Sequence, residues 1–366
     1  MKVAICCATK YQTLNAINLA YNTFPHEWEI DLYIKSYSAE VRKIAERIRK
    51  YKIFDNVYEY NIRVNKPKSV KHYYDVLVEA ILPRKFVESS LSELLDISKK
   101  QYDYISITCG QSSFEVALIR AFSSAETFVL EEGTASYVGD IVHEFDRKRV
   151  WRILGRRLDK IHPQTIYVNN LSFCDSIAAP EKQELLPLNK CGEAYLKMIL
   201  DIFDYKDNDM YSFKTMIYLT QPMNEIDPLL IKQVNDVHKV IKQYADKGII
   251  RIHHHDKETY DLGLIKDDTN NMWELTCFNC IEEKHVLIAI GSTAQITPKL
   301  LFDKEPWLIF LYNIFQYSGR GYSTIKYNNY DATAKKIREQ YSDKSKVVIP
   351  KSINELRQVL EKILDK

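Results

Sequence analysis

No apolar run in the chain approaches the roughly 20 residues that a membrane-spanning helix needs. Excess charge is missing too. The 51 Lys and Arg nearly cancel the 49 Asp and Glu, leaving a formal net charge of +2, so nothing in the overall balance calls for a nucleic-acid partner. The opening Lys2-Val3-Ala4-Ile5-Cys6-Cys7 runs straight into polar residues without a small-residue cleavage site. That argues against an export signal, and the cytoplasm is the expected location. Seven cysteines, an odd number, then read as reduced thiols rather than a disulfide framework. Cys277-Phe278-Asn279-Cys280 has no second CxxC partner, whereas structural zinc sites use four ligands. Internal repeats and low-complexity segments are absent as well.

What is present is the composition of a globular protein, 46% hydrophobic and 27% charged, in 366 residues that suit two domains. In the first half, β-rich runs at 2–8, 29–34, 104–108 and 127–130 alternate with helical patterns at 13–21, 39–50, 70–99 and 111–122. That alternation predicts parallel strands joined by right-handed crossovers, an α/β doubly wound sheet. Regular patterns thin through Leu186-Pro187-Leu188 and the aspartate-rich 204–211, the expected linker. A second alternation has strands at 215–220, 248–253, 286–290 and 307–312, with 228–246 its clearest helix. The expected organisation is an N-terminal lobe over 1–205, a C-terminal lobe over 212–350 and a final amphipathic helix within 351–366.

Four segments carry candidate chemistry. Leu130-Glu131-Glu132-Gly133-Thr134 follows a strand, which delivers two carboxylates to the end of the sheet where α/β proteins build sites. Gly133 permits a tight turn there; the same residues also fit an ordinary acidic helix start. Leu219-Thr220-Gln221-Pro222-Met223-Asn224-Glu225 follows the first strand of the second lobe, and Glu225 reads equally as an acid near the start of the next helix. In Arg251-Ile252-His253-His254-His255-Asp256-Lys257, a base lies two residues before His253 and another two after His255. Neighbours on a strand face opposite ways, so only His253 and His255 could share a metal, and two ligands do not make a zinc site. Ile290-Gly291-Ser292-Thr293-Ala294 follows a strand and precedes a helix, a place that suits a phosphate and suits plain capping just as well.

Acid-acid-glycine, then a histidine with a nearby base, then a small hydroxyl pair after a strand, in that order, resembles the bacterial sialyltransferases of the lipooligosaccharide type, glycosyltransferase family 52. The family's acidic motif is usually aspartate-rich, and its histidine is followed by proline. Here both acids are Glu, and Asp256 or His254 stands where the proline would be. The resemblance implies a GT-B-like architecture, two Rossmann-like lobes with an inter-lobe cleft. It also implies an inverting, metal-independent sialyltransferase that takes sialic acid from CMP-sialic acid, without a cofactor, to a galactoside of lipooligosaccharide or capsule. Ser292 and Thr293, with Gly291 and Lys257, inherit nucleotide binding. His255, or His253 in the alternative alignment, inherits the leaving-group role. Glu225, Glu131 and Glu132 are the candidates for the base; the family's own base position in the Glu225 loop is occupied by Met223. Tyr11-Gln12-Thr13 resembles the glutamine-containing loop after the first strand, which places Gln12 and Thr13, with Gly133, near donor and acceptor. Another nucleotide sugar, or a catalytically silent nucleotide- or glycan-binding protein, is the alternative.

The expected partners are thus a nucleotide-sugar donor and a glycan or glycolipid acceptor, with a homodimer left open. One stretch, 147–161, stands apart. On a helical wheel Val150, Trp151, Leu154, Leu158 and Ile161 share one face, opposite Lys148, Arg149, Arg152, Arg156 and Lys160. Such a helix fits a peripheral contact with an anionic membrane, or packing on its own domain with a solvated basic face, and Gly155 weakens it.

Overall fold

The computed structural model describes residues 1–61, 78–79, 81–107, 112–133, 163–174, 181–222, 230–253, 256–317 and 322–365. The chain divides into two compact units, Met1–Phe203 and Asp204–Lys366.

The first unit is organised by β1 (Lys2–Cys7), in which Val3 to Cys7 are all buried. A run apolar on both faces belongs in the middle of a parallel sheet covered by helices. α1 (Lys10–Asn18) starts in a capping box, with the Thr9 hydroxyl accepting the Gln12 N–H and the Gln12 side chain returning to the Thr9 N–H. β2 (Glu29–Lys35) is followed by α2 (Ala39–Tyr51), whose Val41, Ile44, Ala45 and Ile48 form one buried stripe. Lys52, left-handed at φ 51°, stops that helix. Then come β3 (Asn56–Tyr60), α3 (Pro83–Ser90), β4 (Tyr104–Ile107), α4 (Ser113–Ala121), β5 (Glu126–Leu130), β6 (Thr165–Val168), β7 (Glu181–Glu184) and α5 (Glu193–Ile202). The strands form one sheet in the order β3-β2-β1-β4-β5-β6-β7, every pair parallel. The order reverses between β1 and β4.

The second unit repeats the plan. Its elements are β8 (Met216–Leu219), α6 (Leu230–Lys242), β9 (Gly248–Arg251), β10 (Ile265–Lys266), α7 (Trp273–Cys280), β11 (Val286–Ala289), α8 (Thr293–Phe302), β12 (Trp307–Phe310), α9 (Tyr322–Gln340), β13 (Val347–Val348) and α10 (Ile353–Leu364). The sheet runs β10-β9-β8-β11-β12-β13, again all parallel, and its order reverses between β8 and β11. β8 and β11 are buried at every position. Among the described residues no helix is long and apolar enough to cross a membrane.

Both sheets are α/β and doubly wound as expected, but several boundaries differ. Within 70–99 the described helix is confined mainly to Pro83–Ser90, because Pro83 starts it and Leu91 instead bridges to Tyr60. The strand expected over 248–253 ends at Arg251, so His253 lies beyond it. The stretch 204–211 belongs to the second unit rather than standing apart as a linker: Tyr211 is buried and donates to Asp267 at 2.6 Å, and the Lys206 N–H donates to Asn271. α10 packs on α6 within the same unit, buried through Leu356, Leu360 and Leu364.

His285, just before β11, is fully buried. Its Nδ1 accepts the Glu282 N–H at 2.8 Å, so the ring proton sits on Nε2 and donates to the Tyr211 carbonyl at 2.8 Å. Burial holds its pKa below the usual range. As pH falls below about 6.5 the unfolded chain therefore takes up a proton that the folded chain resists, and stability drops by up to about 1.4 kcal/mol per pH unit for one proton. Denaturant midpoints should fall from pH 7.5 to 5.5, and His285→Gln should flatten that slope; an unchanged slope in the variant would assign the pH dependence elsewhere.

Candidate functional site

In a doubly wound sheet the connections leave in opposite directions where the strand order reverses, and ligands bind at the carboxyl ends of the strands there. In the second unit this point is made by the residues after β8 and β11. Gln221 reaches across it: its Oε1 accepts the Gly291 N–H at 3.1 Å and its Nε2 donates to the Gly291 carbonyl at 3.5 Å. Ser292 is the N-cap of α8, its Oγ accepting the Ala294 N–H at 3.3 Å. Ser292 and Thr293 are half-buried, so the start of α8 is partly open to solvent. α8 is fixed from below by Gln295, fully buried, whose amide donates to the carbonyls of Leu287 and Ile309 at 2.9 and 2.8 Å. From the side, the Trp273 indole N–H donates to the Ala294 carbonyl at 2.6 Å. The positive dipole end of this helix start suits an anion.

Gly291 is required here by space. A Cβ on it would lie 2.4 Å from Cγ and Cδ1 of Tyr330 on α9. Tyr330 belongs to an aromatic group at the ends of β11 and β12 that sequence reasoning did not single out. Tyr312, Tyr317, Tyr327 and Tyr330 lie with neighbouring ring centroids 5.3 to 6.4 Å apart. Tyr312 donates to Asp331 at 2.9 Å and Tyr327 to the Asn313 side chain at 3.0 Å. The available signal was the density of tyrosine between 312 and 330.

The histidine segment meets the same sheet one strand over. His253 donates its N–H to the Thr220 hydroxyl at 3.0 Å, and the Asp256 N–H donates to the His253 carbonyl at 2.8 Å across the run. Lys257 is exposed. Arg251, the base two residues before His253, is committed elsewhere: it pairs with Asp267 and lies over the Trp273 ring at 5.1 Å. His255 and Glu225 lie outside the described residues, as does the basic segment 134–162.

In the first unit, Glu131 is fully buried at the carboxyl end of β5. Its Oε1 accepts the Tyr11 hydroxyl at 2.5 Å, and its Oε2 accepts the Asn169 backbone N–H at 2.6 Å and side-chain N–H at 3.0 Å. Its carbonyl accepts from the Asn15 amide at 3.1 Å. Glu131 therefore ties α1, β5 and the end of β6 together, and Glu132 is the half-buried member of the pair. Gly133 adopts φ 112°, the conformation expected of it. Gln12 and Thr13 are buried. The Gln12 Oε1 accepts the N–H groups of Ala8 and Thr9 at 2.6 and 3.0 Å, and the Thr13 hydroxyl donates to the Thr9 carbonyl at 2.9 Å. Both shape the loop after β1 from within. Burial pushes the Cys6 and Cys7 thiols well up, so neither is a thiolate nucleophile at neutral pH. Among the described residues, no group of three or more His, Cys, Asp and Glu is placed to hold a metal ion.

Gly291→Ala should cost about 1–3 kcal/mol by overpacking against Tyr330. Thermal melts should show that loss, and Gly291→Ala/Tyr330→Ala should be less destabilised than the sum of its parts. Simple additivity would mean that the two residues do not compete for the same space.

No family model matches the chain, and no curated protein does. Among solved structures it is similar to the spinosyn forosaminyltransferase SpnP, at 11% identity and a TM-score of 0.50, over 100% of this chain and 91% of that one. It is also similar to Arabidopsis thaliana UGT89C1, at 8% identity and 0.48, over 99% and 94%. The Methanocaldococcus jannaschii UDP-GlcNAc 2-epimerase, solved in complex with UDP-GlcNAc and UDP, gives 12% and 0.46 over 100% and 93%. At these identities the likeness shows the fold: two Rossmann-like α/β lobes of the GT-B kind.

Proposed function

We propose that this protein is an inverting, metal-independent glycosyltransferase whose donor is CMP-sialic acid and whose acceptor is a galactoside of lipooligosaccharide or capsule. The observation that carries the nucleotide-sugar part is the start of α8 at the strand-order reversal of the second unit, where Gln221 holds Gly291 and Ser292 opens the helix. A leaving phosphate there would meet the Ser292 and Thr293 hydroxyls and the first amides of α8. In the nearby tyrosine group, half-buried Tyr317 and Tyr327 would offer flat apolar surface to a nucleobase. The choice of sialic acid rests on the motif resemblance alone. A helix start of this kind would accept the phosphate of any nucleotide sugar, so uridine nucleotides belong in the same test.

In this reading the reaction passes through an oxocarbenium-like transition state, in which the phosphate gains support as the acceptor hydroxyl loses its proton. The histidine run supports the leaving group, with His255 preferred. Glu131, fully engaged by Tyr11 and Asn169, orients the loop after β5, which leaves Glu132 or Glu225 to take the acceptor proton. The same reading has the enzyme working in the cytoplasm, with the basic segment 147–161 as its contact to the inner face of the membrane.

A charged phosphate hydrogen bond is worth roughly 1.5–3 kcal/mol, so Ser292→Ala should weaken CMP binding by about one to two orders of magnitude in calorimetry. Equal affinity in the variant, or preference for UDP over CMP in the wild type, would reject this donor site or this donor. His255→Ala should depress transfer and donor hydrolysis together by about 10²-fold or more, while Glu132→Gln or Glu225→Gln should lose transfer but keep hydrolysis. Activity lost to EDTA and restored by magnesium or manganese would overturn the metal-independent mechanism.

A further inference from the structure

His253 and Asp256 are tied by hydrogen bonds to the end of β8 and to Tyr260, ties that the motif reading did not contain. The His253 N–H donates to the Thr220 Oγ at 3.0 Å. Tyr260 donates to Asp256 Oδ2 at 2.6 Å, and the Asp256 N–H donates to the His253 carbonyl at 2.8 Å. The other Asp256 oxygen accepts the Glu258 N–H at 3.1 Å, which holds the carboxylate's rotation. Thr220 directly follows β8 and is 3% exposed, so these ties are anchored to the central strand of the second sheet.

A second layer holds Tyr260 in place. The His238 imidazole on α6 packs against the Tyr260 ring at 5.5 Å and 72°, and its Nε2 lies 3.1 Å from the Tyr218 hydroxyl on β8. Tyr218 and Tyr260 meet edge to face at 6.5 Å. Tyr260 is thereby gripped at its ring by β8 and α6 and at its hydroxyl by Asp256. A side chain fixed at both ends transmits position rather than merely filling space.

We propose that Thr220, Asp256 and Tyr260 are positioning residues that set His253, where the histidine segment begins, at the carboxyl edge of the second sheet. This rests on the proposed function for its catalytic consequence but not for its geometry. Asp256 stands in the family position of a proline, which would restrict the backbone covalently. Here the restriction is supplied by Tyr260, four residues further along, with Thr220 as the fixed point. In this proposal they act through the histidine segment and not on the reacting atoms.

The test uses the full chain. Misplacement of a catalytic group by about an ångström costs on the order of a hundredfold, so Tyr260→Phe and Asp256→Asn should each lower kcat for transfer and donor hydrolysis between about tenfold and a hundredfold. KM for the acceptor and CMP affinity should stay within about twofold, since uniform binding is untouched. Thr220→Val should behave like Tyr260→Phe, whereas Thr220→Ser, which keeps the hydroxyl, should retain activity. A readout independent of activity is the imidazole NMR spectrum, assigned by single His→Gln changes: signals of the 253–255 run should shift in Tyr260→Phe and not in Thr220→Ser. Folded variants with normal kcat and unmoved imidazole signals would overturn the proposal, as would Thr220→Ser failing as badly as Thr220→Val. Moved signals in a protein that neither transfers nor hydrolyses any CMP or UDP sugar would support the positioning and overturn the proposed function instead.

Discussion

A parallel sheet buried on both faces has to send its crossovers to both sides, and the place where they part is the constraint on which this protein's chemistry depends. In the second unit that place lies between β8 and β11, and in the first between β1 and β4. At such a point no connection covers the ends of the two central strands, so their first loop residues are presented rather than packed away. Thr220, Gln221, Gly291 and Ser292 are what the second sheet presents. The crowding is severe enough that Gly291 has no room for a methyl group beside Tyr330.

Polar groups gathered at such an edge are half shielded from water, and each has to find a partner or bear the cost of burial. The first unit answers by burying Glu131 outright and surrounding it with Tyr11, Asn15 and Asn169, drawn from α1 and the end of β6. The second unit answers by tying His253 to Thr220 and Asp256 to Tyr260. Both devices convert side chains that look chemically available in the sequence into fixtures. Arg251, the last residue of β9, meets the same fate between Asp267 and Trp273. The groups left at the surface of the site are fewer than the motifs supplied, and the histidine segment is held by residues from both sides of it in sequence.

The central strands were legible because four to six consecutive apolar residues have no other stable place in a two-lobed α/β protein, and α2 and α10 because their apolar spacing matches a helix face. Five strands went unread: β3 and β6, short but largely buried, and three marginal ones. β7, Glu-Lys-Gln-Glu, is an edge strand with no buried residue, held by backbone pairing to β6, and β10 and β13 are two residues each. α7 is apolar around much of its girth and so lacks a periodic signal, while α9 is rich in tyrosine and asparagine. In each case the element exists because a neighbour completes it, which local sequence does not record.

By itself the sequence determined the alternation of strand and helix, the parallel sense of both sheets and the chain positions where polar residues follow buried strands, since these depend on periodicity and on contacts near in the chain. Which of those polar residues remain available was decided only by tertiary structure. Glu131 is silenced by Asn169, 38 residues on. Gly291 is explained by Tyr330, 39 residues on. His253 is held through Thr220, 33 residues before it. Hydrogen bonds and close contacts of that reach form only once the sheet has brought its strand ends side by side, and no local pattern of residue types encodes which side chain will arrive there.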